Sequence, residues 1–216
     1  MSLTLHYHPL SSYSWKALIP LYESGAPFER VIVDYDDPAS RDAHFALWPM
    51  GKIPVLHDAA RGETVPEASV IIDYLDRYYP GPAPFTPADP DQAWRTRLWD
   101  RFFDLHVQGH VQKIVGDRIR PAGQQDSHGV ADARTQLTAA LACLENQARP
   151  GGWFFGDSFG LVDCAAAPAL YYADRVQPFG AGQAAARAYL DRLMARPSVA
   201  RVLTEAEPYF AMFPTG

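Results

Sequence analysis

An α/β unit built on a four-stranded mixed sheet, followed by an all-helical unit, is the fold this sequence predicts. Three observations carry it. Up to about residue 80, short alternating or β-branched runs exchange with helical periodicity. Pro80, Pro82, Pro84, Pro87 and Pro90 then crowd into a stretch that neither a helix nor a central strand accommodates. Beyond them only helical periodicity remains. The expected division is residues 1–80, a Pro-rich linker at 81–90 and a helical unit at 91–216.

Leu3 to His8 alternates as a strand, and Pro9 ends it before the polar group Ser11 to Ser14. A helix is predicted from about Trp15 to Ser24, capped by Ser12 or Ser14 and stopped by Gly25 with Pro27 beyond. Phe28 to Asp34 reads as a second strand, its V-I-V run predicting burial on both faces and a parallel neighbour. Pro38 to Leu47 is a short helix. The stretch W-P-M-G-K-I-P-V-L, Trp48 to Leu56, then supplies a third strand from Ile53. Ala60, Arg61 and Gly62 turn the chain into a short strand at Glu63 to Val65, and a helix from about Glu67 to Tyr79 closes the unit. This order, β-α-β, then α, then β-β-α, is the thioredoxin-like arrangement.

Pro54 stands inside a strand-like run, where it has no ladder donor, so the position is an edge or a special site. An ordinary trans proline starting a strand is one reading. A cis Ile53-Pro54 bond is the other; it would leave the N–H and C=O of Ile53 free as a peptide-docking edge. The helix start at P-E-A-S-V-I-I-D-Y-L, Pro66 to Leu75, favours the second, because it reads as a helix beginning beside a ligand.

In the second unit, Gln92 to about Arg118 carries Trp94, Leu98, Trp99, Phe102, Phe103 and Leu105 at spacings of three and four, an apolar stripe on one helix face. Ala131 to Gln147 repeats the pattern with Leu137, Leu141 and Leu144, and Pro150, Gly151 and Gly152 stop it. Phe155 to Ala167 reads as a helix start with Gly160 as N-cap, Asp163 as the acidic partner of a capping box, and Phe159 with Cys164 as a staple. Serine or threonine would cap better than glycine by a few tenths of a kcal/mol. Gln183 to Ala195 and Ser198 to Ala206 complete the helices.

Composition narrows the function classes. The 48% hydrophobic content is ample for a core, and no apolar run approaches the roughly 18 residues of a membrane span. With no basic-then-apolar leader at the N-terminus, a cytoplasmic protein is expected. A net charge of -6 and a pI near 5.6 leave no basic patch for nucleic acid. Cys143 and Cys164 both fall in helical, apolar surroundings that predict buried structural thiols. There is no C-x-x-C, and the seven histidines are scattered, so no metal is expected.

Taken together, S-S-Y-S-W-K, W-P-M-G-K-I-P-V-L, E-A-S-V-I-I-D-Y-L and the G-L-V-D helix start, in this order and around a Pro-rich linker, resemble the cytosolic glutathione S-transferases over nearly the whole chain. The first stretch is most similar to the serine-containing bacterial and zeta-like classes, with Tyr13 where the zeta pattern has cysteine. The resemblance implies glutathione as co-substrate, a homodimer, and site residues. Ile53, before a cis Pro54, would pair its backbone with the cysteinyl part of glutathione. Glu67 and the position after it would hold the γ-glutamyl end, but that position is Ala68, where the family has a hydroxyl. Ser69 substitutes if the helix begins one residue late, and the amides of a helix N-terminus receive a carboxylate whatever the side chains. Lys52 is placed for the glycyl carboxylate. Trp48 replaces an Asn common in the family.

A free thiol with a pKa near 8.5 is only a few per cent ionised at pH 7, and lowering it by about two units takes roughly 2.7 kcal/mol. One hydroxyl donating to the sulfur supplies about 1.5 to 3 kcal/mol, and a helix N-terminus about 0.3 to 1. Family position favours Ser11 as the donor, then Ser12, then Tyr13, against capping of the first helix as the alternative role. A small apolar electrophile is expected between the units, near Tyr13, Phe103, His106, His110, Tyr171, Phe210 and Phe213. Two other readings stay open: a zeta-like glutathione-dependent cis-trans isomerase, which a cluster of cleft arginines would favour, and a binding protein without chemistry, which Ala68 would favour.

Overall fold

A computed structural model describes residues 2–147 and 151–214. Pro150, assigned above to stopping a helix, lies outside the described residues. The first unit runs β1 (Leu3–Tyr7), α1 (Ser12–Ser24), β2 (Phe28–Ile32), α2 (Pro38–Leu47), β3 (Val55–Asp58), β4 (Glu63–Pro66) and α3 (Ala68–Tyr78). Its sheet has the order β2-β1-β3-β4, with β1 parallel to β2 and antiparallel to β3, and β3 antiparallel to β4. Leu5 stands opposite Arg30 on one side and Leu56 on the other. Leu3, Leu5 and Tyr7 point into the core, as the alternation requires.

Two strand readings are corrected. β2 was expected to be buried on both faces, yet Glu29 to Ile32 are exposed and only Val33, just beyond it, is buried. It is an edge strand, and α2, which buries only His44, lays no cover over it. β3 begins at Val55, not at Ile53, because pairing with β1 ends at His6 opposite Val55.

The second unit opens with α4 (Pro90–Phe102), a π-helical turn (Phe103–Gln108) and α5 (Gly109–Arg118), where one uninterrupted helix was expected. The π turn rotates the face that follows it. Trp94, Leu98 and Leu105 of the predicted apolar stripe are exposed, while Ala93, Thr96, Asp100, Phe103, Val107, Val111 and Ile114 are buried. Next come α6 (Ser127–Gln147), α7 (Leu161–Val176), α8 (Ala184–Ala195), α9 (Pro197–Ala206) and a 3₁₀ turn (Glu207–Met212). Gln183, expected in α8, closes a preceding 3₁₀ turn. α7 buries 13 of its 16 residues, the all-round burial of a central helix, and packs on α1, α4, the π turn, α5 and α8.

Gly160 caps α7 as predicted, with Asp163 Oδ2 accepting from its N–H at 2.9 Å. The preference for serine or threonine there is overturned. Leu161 N–H donates to Phe85 C=O at 2.9 Å, and a Cβ on residue 160 would stand 2.8 Å from that oxygen. The expectation of two buried thiols is half corrected: Cys164 is buried, but Cys143 is exposed, and both thiols are free.

One contiguous core runs through both units. Trp15 of α1 is its hinge point, donating Nε1–H to Pro9 C=O at 2.6 Å and packing against Tyr171, Tyr172 and Phe210. No helix among the described residues is long and apolar enough to cross a membrane.

Candidate active site

A cleft of about 590 Å³ opens between the β1–α1 loop, the loop before β3, the start of α3 and the α4–π junction. Each wall follows from local chemistry. Ser11, not Ser12 or Ser14, is the N-cap of α1: its Oγ accepts from Ser14 N–H at 3.2 Å. That bond occupies a lone pair and leaves the hydroxyl hydrogen available. Ser14 is buried and its Oγ accepts from His8 N–H, so it is structural.

The loop before β3 is held at two carbonyls. Tyr35 donates to Gly51 C=O at 2.8 Å, and His44 Nε2–H donates to Lys52 C=O at 3.0 Å. Gly51 has φ 60°, and a Cβ there would collide with the Phe45 ring. The Ile53-Pro54 bond is cis. Among the described residues the backbone N–H and C=O of Ile53 make no hydrogen bond, and both residues line the cleft. The Lys52 ammonium also lines it and has no ion pair among the described residues.

Opposite, Glu67 takes φ 69° and ψ 117°, the one positive φ outside glycine among the described residues. A conformation of that kind costs on the order of 1–3 kcal/mol. It turns the chain abruptly into α3, whose N-terminus has no side-chain cap; Ala68 and Ser69 line the cleft, and their amides make no hydrogen bond among the described residues. Ser69 Oγ is engaged elsewhere: it donates to Asp100 Oδ2 at 2.8 Å and accepts from Lys16 Nζ at 2.9 Å.

Beneath the cleft floor lies a buried ionic cluster. Lys16 Nζ is 2.6 Å from Asp100 Oδ1 and 2.7 Å from Asp104 Oδ2, and Arg101 Nη2 reaches Asp104 Oδ2 at 2.8 Å. The buried Lys16 ammonium bridges the two buried carboxylates, and Arg101, half exposed, adds a second cation from the cleft side, a pairing that tolerates such burial. Burial pushes the Asp104 carboxyl up, against the pull of Lys16. Tyr13 donates to Asp104 C=O at 3.2 Å, and its phenol is pushed up to about 12, chiefly by burial. Its hydrogen is therefore committed, which places it behind Ser11 and Ser12 as a donor.

A second cleft, of about 530 Å³, adjoins the first and shares Ser11, Lys52 and Gln112 with it. Ser12, Gln108, Val111, Val115, Ile119, Tyr172 and Phe213 complete most of its wall. Of the residues anticipated for an electrophile, Tyr13 lines the first cleft and Phe213 the second. The others are placed elsewhere. Phe103 is fully buried against Phe102 and Phe154. His106 is exposed beside Phe102, and the half-buried His110 lines neither cleft. Tyr171 and Phe210 pack on Trp15 and on the Arg175 guanidinium.

Lys16, Asp100, Arg101, Asp104, Tyr35, Gln108 and Gln112 were not singled out from the sequence. A usable signal existed for the first: a lysine inside the apolar run W-K-A-L-I-P-L demands a buried acid, and D-R-F-F-D offers two one turn apart.

Residues 5–83 match the family model of the glutathione S-transferase N-terminal domain, and residues 92–205 that of its C-terminal domain. The chain is 25% identical to glutathione S-transferase GstB of Escherichia coli K12, over 87% of this chain and 91% of that protein. It is 29% identical to the maleylacetoacetate isomerase of Pseudomonas aeruginosa, over 81% and 82%. A glutathione S-transferase of Methylobacillus flagellatus, solved with glutathione bound, superposes with a TM-score of 0.82 at 27% identity, covering 93% of this chain and 98% of that one. Domain models spanning both units, together with this likeness in sequence and fold, make the chain a member of the glutathione S-transferase family.

Proposed function

We propose that this protein is a glutathione transferase in which the Ser11 hydroxyl donates to the glutathione thiolate. Residues 1–80 form the glutathione-binding unit, 81–90 the linker, and 91–216 the unit that carries most of the electrophile wall. The Ile53 backbone pairs with the cysteinyl residue, Lys52 meets the glycyl carboxylate, and Glu67 with the amides of Ala68 and Ser69 takes the γ-glutamyl end. The observation that carries this reading is the position of Ser11: it caps α1, keeps its hydrogen free, and stands in the wall common to both clefts. A sulfur held there has the N-terminus of a 13-residue helix beside it and open space for a second reactant on its far side. Ser12, which lines only the second cleft, is the alternate donor.

The isomerase reading fits less well. Arg101 is the one arginine lining the first cleft among the described residues, it is paired with Asp104, and none lines the second. A homodimer accords with the exposed Phe45 and Met50 on the first unit and the exposed Trp94, Leu98 and Leu105 on the second. A cytoplasmic location accords with two free thiols, one of them exposed.

Calorimetry with glutathione, followed by turnover of an aryl halide, tests the proposal. Binding is expected in the micromolar to millimolar range, and Ser11→Ala should lower kcat by about 10- to 100-fold while changing glutathione affinity little. Unchanged kcat would transfer the role to Ser12 or a backbone amide. Absence of binding at millimolar glutathione would favour a family member without the chemistry.

A further inference from the structure

His44 is the one buried residue of α2, and a polar ring is an unusual choice for the single side chain with which a helix anchors itself to a sheet. Its Nδ1 lies buried without a hydrogen-bond partner among the described residues, a loss that phenylalanine at the same place would avoid. The ring's one hydrogen bond is from Nε2–H to Lys52 C=O at 3.0 Å. A carbonyl only accepts, so that nitrogen carries the hydrogen. Tyr35, in the segment between β2 and α2, acts one residue earlier, donating to Gly51 C=O at 2.8 Å. The backbone of residues 49–53 has one further hydrogen bond among the described residues, a local turn from Gly51 N–H to Trp48 C=O at 2.9 Å. The two side-chain donors are therefore what ties this backbone to the rest of the unit.

They also decide where its amides point. A trans peptide is planar, and its N–H points opposite to its C=O. The Ile53-Pro54 bond is the only cis peptide among the described residues, so the Gly51-Lys52 and Lys52-Ile53 peptides are trans. His44 does not line the cleft, whereas Ile53 does. Turning the Lys52 carbonyl toward His44 accordingly aims the Ile53 N–H the other way, and that N–H is unpaired. Pinning the Gly51 carbonyl fixes the Lys52 N–H by the same geometry.

We propose that His44, seconded by Tyr35, is a positioning residue for the tripeptide: it holds the Ile53 N–H, before the ligand arrives, in the direction that receives the cysteinyl carbonyl. The inference rests on the glutathione transferase reading and deepens it. A donor already fixed in the free protein spares the ligand the cost of ordering it, so the effect falls on affinity. Ser11 differs, since it acts on the sulfur and hence on turnover.

The test is calorimetry and kinetics on three variants. His44→Phe keeps a flat buried ring and loses the donor, His44→Gln offers a terminal amide N–H in place of Nε2–H, and Tyr35→Phe loses only its hydroxyl. Each phenylalanine variant should weaken glutathione binding about 3- to 10-fold, the worth of one neutral hydrogen bond, and should raise KM for glutathione more than it lowers kcat. His44→Gln should recover most of the loss. An unmoved Kd in either phenylalanine variant overturns the part assigned to that residue. A His44→Gln variant no better than His44→Phe overturns the proposal as well, by making His44 a packing residue. Should His44→Phe not fold, the parent decides by NMR. Its Ile53 amide should be protected from exchange only once glutathione is bound, with the His44 ring as the Nε2–H tautomer in both states. An amide left unprotected by saturating glutathione, or an Nδ1–H tautomer, overturns the assignment. Glutathione calorimetry on the parent keeps the two readings apart. Binding with an unmoved Kd in the variants removes only the positioning role, whereas no binding at millimolar glutathione removes both.

Discussion

Ala68 and Ser69 stand side by side at the start of α3, and their environments separate two roles that the sequence left interchangeable. Ser69 directs its hydrogen to Asp100 and accepts from Lys16, so it has none to give a carboxylate in the cleft without abandoning that cluster. Compensation for the hydroxyl missing at Ala68 therefore falls to backbone amides. Ala68→Ser is expected to tighten glutathione binding, by at most about 1.5 to 3 kcal/mol, because it adds one donor to a charged group at an existing anion site. Ser69→Ala should mainly lower stability, since it removes a partner from Asp100 and Lys16. Titration calorimetry and denaturant unfolding on both variants check the assignment. It fails if removing Ser69 weakens glutathione binding more than it weakens the fold.

At the scale of elements, several helix ends were legible, but the cap of α1 fell on Ser11 and not on Ser12 or Ser14, and the phase of one long helix was not legible. Gly25 ends α1 with φ 71°, as its position before Pro27 implied. Pro38 opens α2 behind Asp37, whose carboxylate accepts from Ala39 and Ser40 N–H. Both signals are local. The π turn is not local: it interrupts the helical register at Phe103–Gln108, and no spacing rule announced it. The Gly160 cap shows the same division. Propensity favours serine by a few tenths of a kcal/mol, but the 2.8 Å approach of Phe85 C=O reverses the sign. Gly160→Ala is expected to destabilise by about 1–3 kcal/mol through this contact. A urea midpoint that falls with an unchanged m-value would confirm it, and an unchanged midpoint would refute it.

The whole molecule is joined by polar contacts between units as well as by its core. Glu23 at the end of α1 accepts from Arg196 Nε at 2.9 Å, from Arg196 Nη2 at 2.7 Å and from Ser198. Burial alone would raise the Glu23 carboxyl, but these hydrogen bonds outweigh it and hold the group below its ordinary value. A carboxyl lowered on folding stabilises above its unfolded pKa, about 4.5, and the contribution disappears as pH falls through the lower folded value. Glu23→Gln should accordingly lower Tm at pH 7, and the difference from the parent should shrink as pH drops below about 4.5. Equal differences at pH 7 and pH 3.5 would show that packing, not charge, is at work. Sedimentation at micromolar concentration tests the proposed dimer, and a monomer would count against a shared face formed by Met50 and Trp94.

The mixed four-stranded sheet followed by helices, the Gly25 and Gly160 helix ends and the cis Ile53-Pro54 bond could be read from the chain, through alternation, proline and glycine punctuation and motif order, whereas α1 and α6 begin three and four residues ahead of where those rules put them. Tertiary structure alone decided that β2 is an exposed edge, that Ser69 belongs to the Lys16 cluster, that Phe103 is core, and that Gln108 faces the second cleft. These outcomes depend on which distant surfaces meet. Burial and hydrogen-bond partnership are properties of that meeting, and a residue's neighbours in sequence record it only through a mismatch such as Lys16 in its apolar run.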